Sequence, residues 1–185
     1  LSIRVSAKRL FPTYEFLDAP FNLQYYKKGD FRTELATMGC RTRVIGNAYD
    51  PKNEVAPARG NLSFTSINLP RLGIESKGDL DKFFELLDER LQLCREALWT
   101  RNTSVKNIKA KNSEILWMHG ALARIGAEET VGELMERQPK RSTISLGYVG
   151  LYETCRVLIG ESNTTENGRK LSIQILQYLN DACAK

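Results

Sequence analysis

The segment Asn-Leu-Ser-Phe-Thr-Ser-Ile-Asn-Leu at residues 61–69, followed by Pro70 and an amphipathic stretch at residues 79–101, indicates the fold class. Apolar and polar residues in 61–69 approach the alternation of a half-buried strand with a bulge, and Pro70 ends it. In 79–101 the apolar residues recur at the spacing of one helix face. They are Leu80, Phe83, Phe84, Leu87, Leu91, Cys94 and Leu98.

A second strand-to-helix pair lies near the end of the chain. Residues 142–149, Ser-Thr-Ile-Ser-Leu-Gly-Tyr-Val, favour a strand, and Gly150 opens a predicted helix that runs to Ile159. Gly160 is a natural helix stop, and a last helix is predicted over residues 166–183. Strands that alternate with helices in this way predict the α/β class.

The remaining segments carry weaker signals. Residues 1–33 are rich in aromatic residues and proline and predict loops and short pieces. Residues 34–48 predict a loop that leads into a strand, 47–60 and 102–113 predict loops, and 128–137 predict a short helix. We therefore treat residues 1–185 as one fragment with an entry segment (1–33), a cysteine loop and strand (34–71), and helices with a strand (72–185).

Composition excludes several classes of protein. The 185 residues are 42% hydrophobic and 26% charged, which is typical of a globular domain rather than a disordered chain. The 27 Lys and Arg exceed the 22 Asp and Glu by a net charge of only +5, spread along the chain, so we expect a mixed-charge surface and no nucleic-acid partner. Neither a membrane-spanning run nor a signal peptide is found, so we expect a cytoplasmic protein.

The four cysteines are Cys40, Cys94, Cys155 and Cys183, and no two of them form a Cys-x-x-Cys pair. With His119 as the single histidine, we expect no metal site in these residues. Cys94 falls on the apolar helix stripe, so it is interpreted as a small buried hydrophobic residue.

Cys40 has a different setting, in Met-Gly-Cys-Arg-Thr-Arg-Val at residues 38–44. Gly39 permits a tight backbone turn that would present the Cys40 side chain at a loop tip. Neighbouring arginines lower the pKa of a thiol, so these residues allow a reactive cysteine, while a purely structural cysteine remains the alternative.

Two linked motifs, Met-Gly-Cys-Arg-Thr at residues 38–42 and Gly-Asn-Leu-Ser-Phe-Thr-Ser-Ile-Asn-Leu-Pro-Arg at 60–71, resemble the anaerobic (class III) ribonucleoside-triphosphate reductases. The segments at residues 12–22 and 145–151 are also similar to that family, and the resemblance extends over about residues 9–180. It implies that the chain is a central slice of a ten-stranded α/β barrel in a glycyl-radical enzyme.

The resemblance implies a reaction as well. A glycyl radical, generated by a radical S-adenosylmethionine/iron-sulfur activating protein, passes to a cysteine. The resulting thiyl radical abstracts the ribose 3′ hydrogen of a ribonucleoside triphosphate, and the 2′ hydroxyl leaves as water. A homodimer and a zinc site outside this chain are further implications, and formate and a dithiol protein are both open as the electron donor.

The resemblance assigns roles to individual residues. Cys40 corresponds to the thiyl cysteine, and Asn61 corresponds to an active-site asparagine whose amide hydrogen-bonds the ribose hydroxyls. Ser145, Gly147 and Gly150 are candidates for binding the substrate phosphates where a strand meets a helix. Asn68 and Arg71 are further polar candidates, for which we favour structural roles.

Several parts that the family requires are missing from these residues. No glycyl-radical motif, cysteine-rich zinc site or ATP-cone is found, so we expect the 185-residue fragment alone to be inactive. One alternative is a related glycyl-radical lyase or dehydratase. The other is a non-enzymatic remnant of the family that binds a nucleotide or a partner chain.

Overall fold

The computed structural model describes residues 2–39, 42–44, 52, 59–137 and 142–184. The chain forms two compact units. The first unit comprises Leu1–Gly60 and Lys106–Thr143, and the second unit comprises Asn61–Val105 and Ile144–Lys185. Helices and strands both occur, which confirms the predicted α/β class. The ten-stranded barrel and the single 1–185 fragment stay predictions.

The described residues form eight helices and four strands. In chain order they are α1 (Ser2–Arg9), α2 (Pro20–Leu23), β1 (Ala36–Met38), β2 (Thr42–Val44), β3 (Gly60–Asn68), α3 (Leu69–Glu75), α4 (Leu80–Lys106), α5 (Glu114–Trp117), α6 (Val131–Arg137), β4 (Ser142–Val149), α7 (Leu151–Ile159) and α8 (Glu166–Ala184). Short 3-10 turns lie at Phe31–Thr33 and Ala110–Ser113.

The second unit is built on the pairing of β3 with β4, which are hydrogen-bonded neighbours. Each strand is followed by a short helix and then a long one, and α3 packs against α7. Burial of apolar surface is the main stabilising contribution in such a cluster. The core residues come from β3 and from the four helices, namely Ile67, Leu69, Leu72, Phe83, Leu87, Cys155, Leu158, Leu171, Ile175 and Leu179.

The long helix α4 confirms the apolar stripe. Phe83 and Leu87 are completely buried, and Cys94 is half-buried against the core, in keeping with its predicted hydrophobic role. The helix continues to Lys106, beyond the predicted end at 101, so the loop predicted over 102–113 is wrong in its first residues. The side chain of Asn102 is buried in this added turn, and no glycine or proline interrupts the helix there.

The helices α7 and α8 also lie where the sequence predicts them. Gly160 ends α7 in the left-handed conformation, with φ +71°, and its N–H donates to the Arg156 carbonyl. Cys155 of α7 is fully buried, and its Sγ lies 3.3 Å from Ser172 Oγ of α8. Cys155 is therefore a packing residue between the two helices.

The first unit contains shorter elements. β1 and β2 pair in antiparallel fashion, with Ala36 opposite Val44 and Met38 opposite Thr42. The helix α1 is one of the short pieces predicted for residues 1–33, and no glycine or proline interrupts residues 2–9. None of its residues is buried. Among the described residues, no helix is long and apolar enough to cross a membrane.

Candidate functional site

The end of β3 is closed by its own polar residues. Asn68 is the N-cap of α3, and its side-chain oxygen accepts a hydrogen bond from the Arg71 backbone N–H at 3.2 Å. Arg71 Nε donates to Glu75 Oε1 at 2.7 Å, and this hydrogen bond lowers the pKa of Glu75. The structural roles expected for Asn68 and Arg71 agree with these contacts.

The end of β4 is open in the corresponding place. Gly150 is the N-cap of α7 with φ +78° and ψ +34°, and no side chain caps the helix. Gly150 thus offers no side-chain acceptor to the first N–H groups of α7, and Glu153 Oε2 in that turn lies 3.4 Å from the position of a Cβ at residue 150. The Gly150 carbonyl accepts from the backbone N–H of Thr154 at 2.9 Å and from its hydroxyl at 2.7 Å.

Gly150 is also held tightly against the start of α3. A Cβ added at Gly150 would lie 2.3 Å from Cγ and 2.6 Å from Cδ of Pro70. A side chain does not fit at that distance, and the left-handed backbone independently favours glycine. The beginnings of α3 and α7 thus touch through Pro70 and Gly150.

The two faces of β4 have different surroundings. Ile144 and Leu146 line a cavity of about 660 Å³ together with residues of α4 and α8. Since successive side chains of a strand point to opposite faces, Ser145 and Gly147 face away from this cavity. Gly147 approaches β3 closely, because a Cβ added there would lie 2.8 Å from Ser66 Oγ. Ser145 and Gly147 are both half-buried.

Asn61 stands apart from this group. It is the second residue of β3 and its side chain is exposed, whereas Ser66 and Pro70 lie toward and beyond the other end of the strand. Cys40 lies outside the described residues, as does Arg41 beside it. The structure does show that β1 and β2, which flank Cys40 in the sequence, are paired with each other.

No group of three or more His, Cys, Asp or Glu side chains that could hold a metal ion is found in the described parts of the chain. His119 is exposed, and its Nε2 lies 3.9 Å from Glu114 Oε2. The candidate site therefore offers the amide of Asn61, the hydroxyl of Ser145 and the backbone of two glycines. These glycines, Gly147 and Gly150, lie just before and at the start of α7.

Comparison with known proteins shows the family. The sequence profile of a family described as "Anaerobic ribonucleoside-triphosphate reductase" matches residues 1–185. The chain belongs to the anaerobic ribonucleoside-triphosphate reductase family.

Named members of the anaerobic ribonucleoside-triphosphate reductase family match nearly the whole chain. The protein of this name from Escherichia coli strain K12 is 35% identical over 185 residues, which is 98% of this chain and 25% of that protein. The Haemophilus influenzae protein is 36% identical over 186 residues, again 98% and 25%. The protein from Enterobacteria phage T4 is 31% identical over 183 residues, or 96% and 29%. The chain thus spans about a quarter of the length of these relatives.

For this reductase-family chain, sequence reasoning misses two residues that shape the site. The pattern indicates Pro70 only as the end of a strand, although it packs on Gly150, and it indicates Ser66 only as part of that strand. Glycines at 147 and 150 signal close approach, but the partner of each contact depends on how β4 aligns with β3. That alignment is not encoded in either strand alone.

Proposed function

We propose that this chain is the section of an anaerobic ribonucleoside-triphosphate reductase that carries the thiyl cysteine, Cys40, and part of the substrate-binding surface. The match of the family profile across residues 1–185 is the observation that carries the proposal. The uncapped start of α7, with Ser145 and Gly147 ahead of it, adds a surface that suits an anion. The whole protein would convert ribonucleoside triphosphates to deoxyribonucleoside triphosphates.

The proposed role of Cys40 is hydrogen-atom transfer. Its thiyl radical takes the 3′ hydrogen atom of the ribose, which forms an S–H bond and breaks a C–H bond. The 2′ hydroxyl then leaves as water after it gains a proton. Two electrons from formate or a dithiol protein reduce the sugar, and Cys40 returns a hydrogen atom to the 3′ carbon. A glycyl radical generated by the activating protein supplies the unpaired electron.

The proposed substrate contacts divide between two places. At the beginning of β3, the amide of Asn61 donates to and accepts from ribose hydroxyls, and as a neutral group it adds no competing acid. At the end of β4, Ser145, Gly147 and Gly150 bind the phosphates through a hydroxyl and backbone N–H groups. The two places lie on neighbouring strands, and each would hold a different part of the nucleotide.

The proposal extends to the rest of the protein. The full-length enzyme would form a homodimer and hold a zinc site outside residues 1–185. A separate radical S-adenosylmethionine protein with an iron-sulfur cluster would activate it. A cytoplasmic location agrees with nucleotide reduction, because the substrates and the reductants are found there.

Substitution of Cys40 in the intact polypeptide, assayed anaerobically with its activating protein, is the direct test. We expect Cys40→Ala to reduce deoxynucleotide formation to background and to leave nucleoside-triphosphate binding unchanged, because the thiol acts only in the radical step. Cys183→Ala, which alters an exposed cysteine of α8, is the matched control and should retain turnover. Turnover in the Cys40→Ala variant would refute the assignment.

The intact mass in the native host separates this proposal from the remnant alternative. A mass several times 21.0 kDa supports a complete reductase that contains these residues. A mass near 21.0 kDa would instead support a free-standing chain that binds a nucleotide or a partner.

A further inference from the structure

Because Gly147 has no side chain, it leaves the hydroxyl of Ser66 uncovered. The position of a Cβ at residue 147 is 2.8 Å from Ser66 Oγ and 3.7 Å from Ser66 Cβ. Any larger residue at 147 would therefore displace or cover that hydroxyl. The backbone of Gly147 lies outside the positive-φ region, so its conformation does not require glycine. The requirement at this position is for space.

The Ser66 hydroxyl is free to bind a ligand. The residue is exposed, and no hydrogen bond joins its Oγ to another of the described residues. Ser145 lies on the same face of β4 as Gly147. Ser66 and Ser145 thus lie near the backbone of Gly147, which no side chain covers.

We infer that Ser66 is a further substrate-binding residue, whose hydroxyl donates a hydrogen bond to a phosphate oxygen of the nucleoside triphosphate. The inference rests on the proposed function for its ligand, and it adds a residue of β3 to the β4 group. A phosphate offers only acceptors when fully ionised, so it needs donors around it. Serine hydroxyls and backbone N–H groups are common partners of phosphate oxygens, and glycine lets a ligand approach the backbone closely.

The first experiment compares ligands on the intact polypeptide. We expect Ser66→Ala to weaken binding of a nucleoside triphosphate and of inorganic tripolyphosphate by the same factor, roughly three- to tenfold for one hydrogen bond. The KM should rise by that factor and kcat should stay unchanged, because the contact is equal in ground and transition states. Asn61→Ala should weaken binding of the nucleoside triphosphate and leave binding of tripolyphosphate unchanged. Ser104→Ala, which removes an exposed hydroxyl of α4, should change the binding of neither ligand.

The second experiment separates binding from packing. Gly147→Ala should lower the unfolding temperature because of its contact with Ser66 Oγ, and addition of Ser66→Ala should restore it. If Ser66 binds phosphate, the restored double variant still binds tripolyphosphate weakly.

Each result bears on the inference. Unchanged tripolyphosphate binding in Ser66→Ala, or wild-type binding by the double variant, would overturn the role of Ser66 and leave the proposed reductase function intact. Weakened binding in Ser66→Ala together with turnover in Cys40→Ala would support Ser66 and refute the assignment of the radical cysteine. A wild-type protein that binds no nucleoside triphosphate would overturn both.

Discussion

The helices α3 and α7 begin next to each other in the second unit, and they begin in different ways. Asn68 closes the start of α3 with its side chain, whereas Gly150 starts α7 with no capping side chain. At α3 a backbone donor is satisfied from within the chain, which stabilises the fold. At α7 the donors remain available. The difference separates a helix start that is closed by a side chain from the one at which we propose that phosphate binds.

Gly150→Ala should have the largest effect on this comparison. The added Cβ would lie 2.3 Å from Pro70 Cγ, and the alanine would have to adopt the left-handed backbone conformation of residue 150. We therefore expect a loss of roughly 2–5 kcal/mol in the free energy of unfolding. Denaturant unfolding of the intact polypeptide measures this loss.

Gly160→Ala is the matched control for Gly150→Ala. Gly160 has φ +71° but no atom within 4 Å of a Cβ, so its substitution reports the backbone strain alone, about 1–2 kcal/mol. Equal losses at the two positions would show that the contact between Gly150 and Pro70 has no energetic consequence.

Asn68→Ala should have an intermediate effect. The substitution removes the acceptor for the Arg71 N–H, and loss of such a cap costs about 1 kcal/mol of stability. Because α3 is the closed helix start, tripolyphosphate and nucleotide binding should not change. Asn68→Asp preserves the cap and should restore stability. Weaker phosphate binding by Asn68→Ala, measured where the variant is still fully folded, would contradict the distinction between the two helix starts.

Glu75→Gln should have the smallest effect. The hydrogen bond from Arg71 lowers the pKa of Glu75 below its usual 4.5, so the pair contributes stability at neutral pH. That contribution is lost as the pH falls through the lowered pKa, because the folded carboxylate then takes up a proton. Wild type should therefore be slightly more stable than Glu75→Gln at pH 7, and the gap should close in acid. A gap that persists well below the lowered pKa would show that the effect is not due to charge.

The elements that sequence predicts well have long patterns. In α4 the apolar spacing extends over five turns, and Phe83 and Leu87 are buried as the stripe requires. Gly160 ends α7 and the strand at 142–149 is confirmed as β4, because local chemistry decides both.

The elements that sequence does not predict depend on distant contacts. The seven residues of α3 are too few for a helical stripe to be distinctive, and Pro70 is compatible with both a strand end and the first turn of a helix. At the candidate site, the motifs indicate Ser145, Gly147 and Gly150, but the pairing of β4 with β3 is needed to find Ser66 and Pro70. Cys40 and Asn61 stay predictions from the resemblance.

The contact between Pro70 and Gly150 has an evolutionary consequence. These two positions are far apart in the chain, yet residue 150 cannot gain a side chain while the proline ring stays at residue 70. A lineage that places a side chain at 150 must first lose the proline ring at 70, or move one helix away from the other. Along a family tree, a side chain at 150 should therefore be found only in branches that have already replaced Pro70.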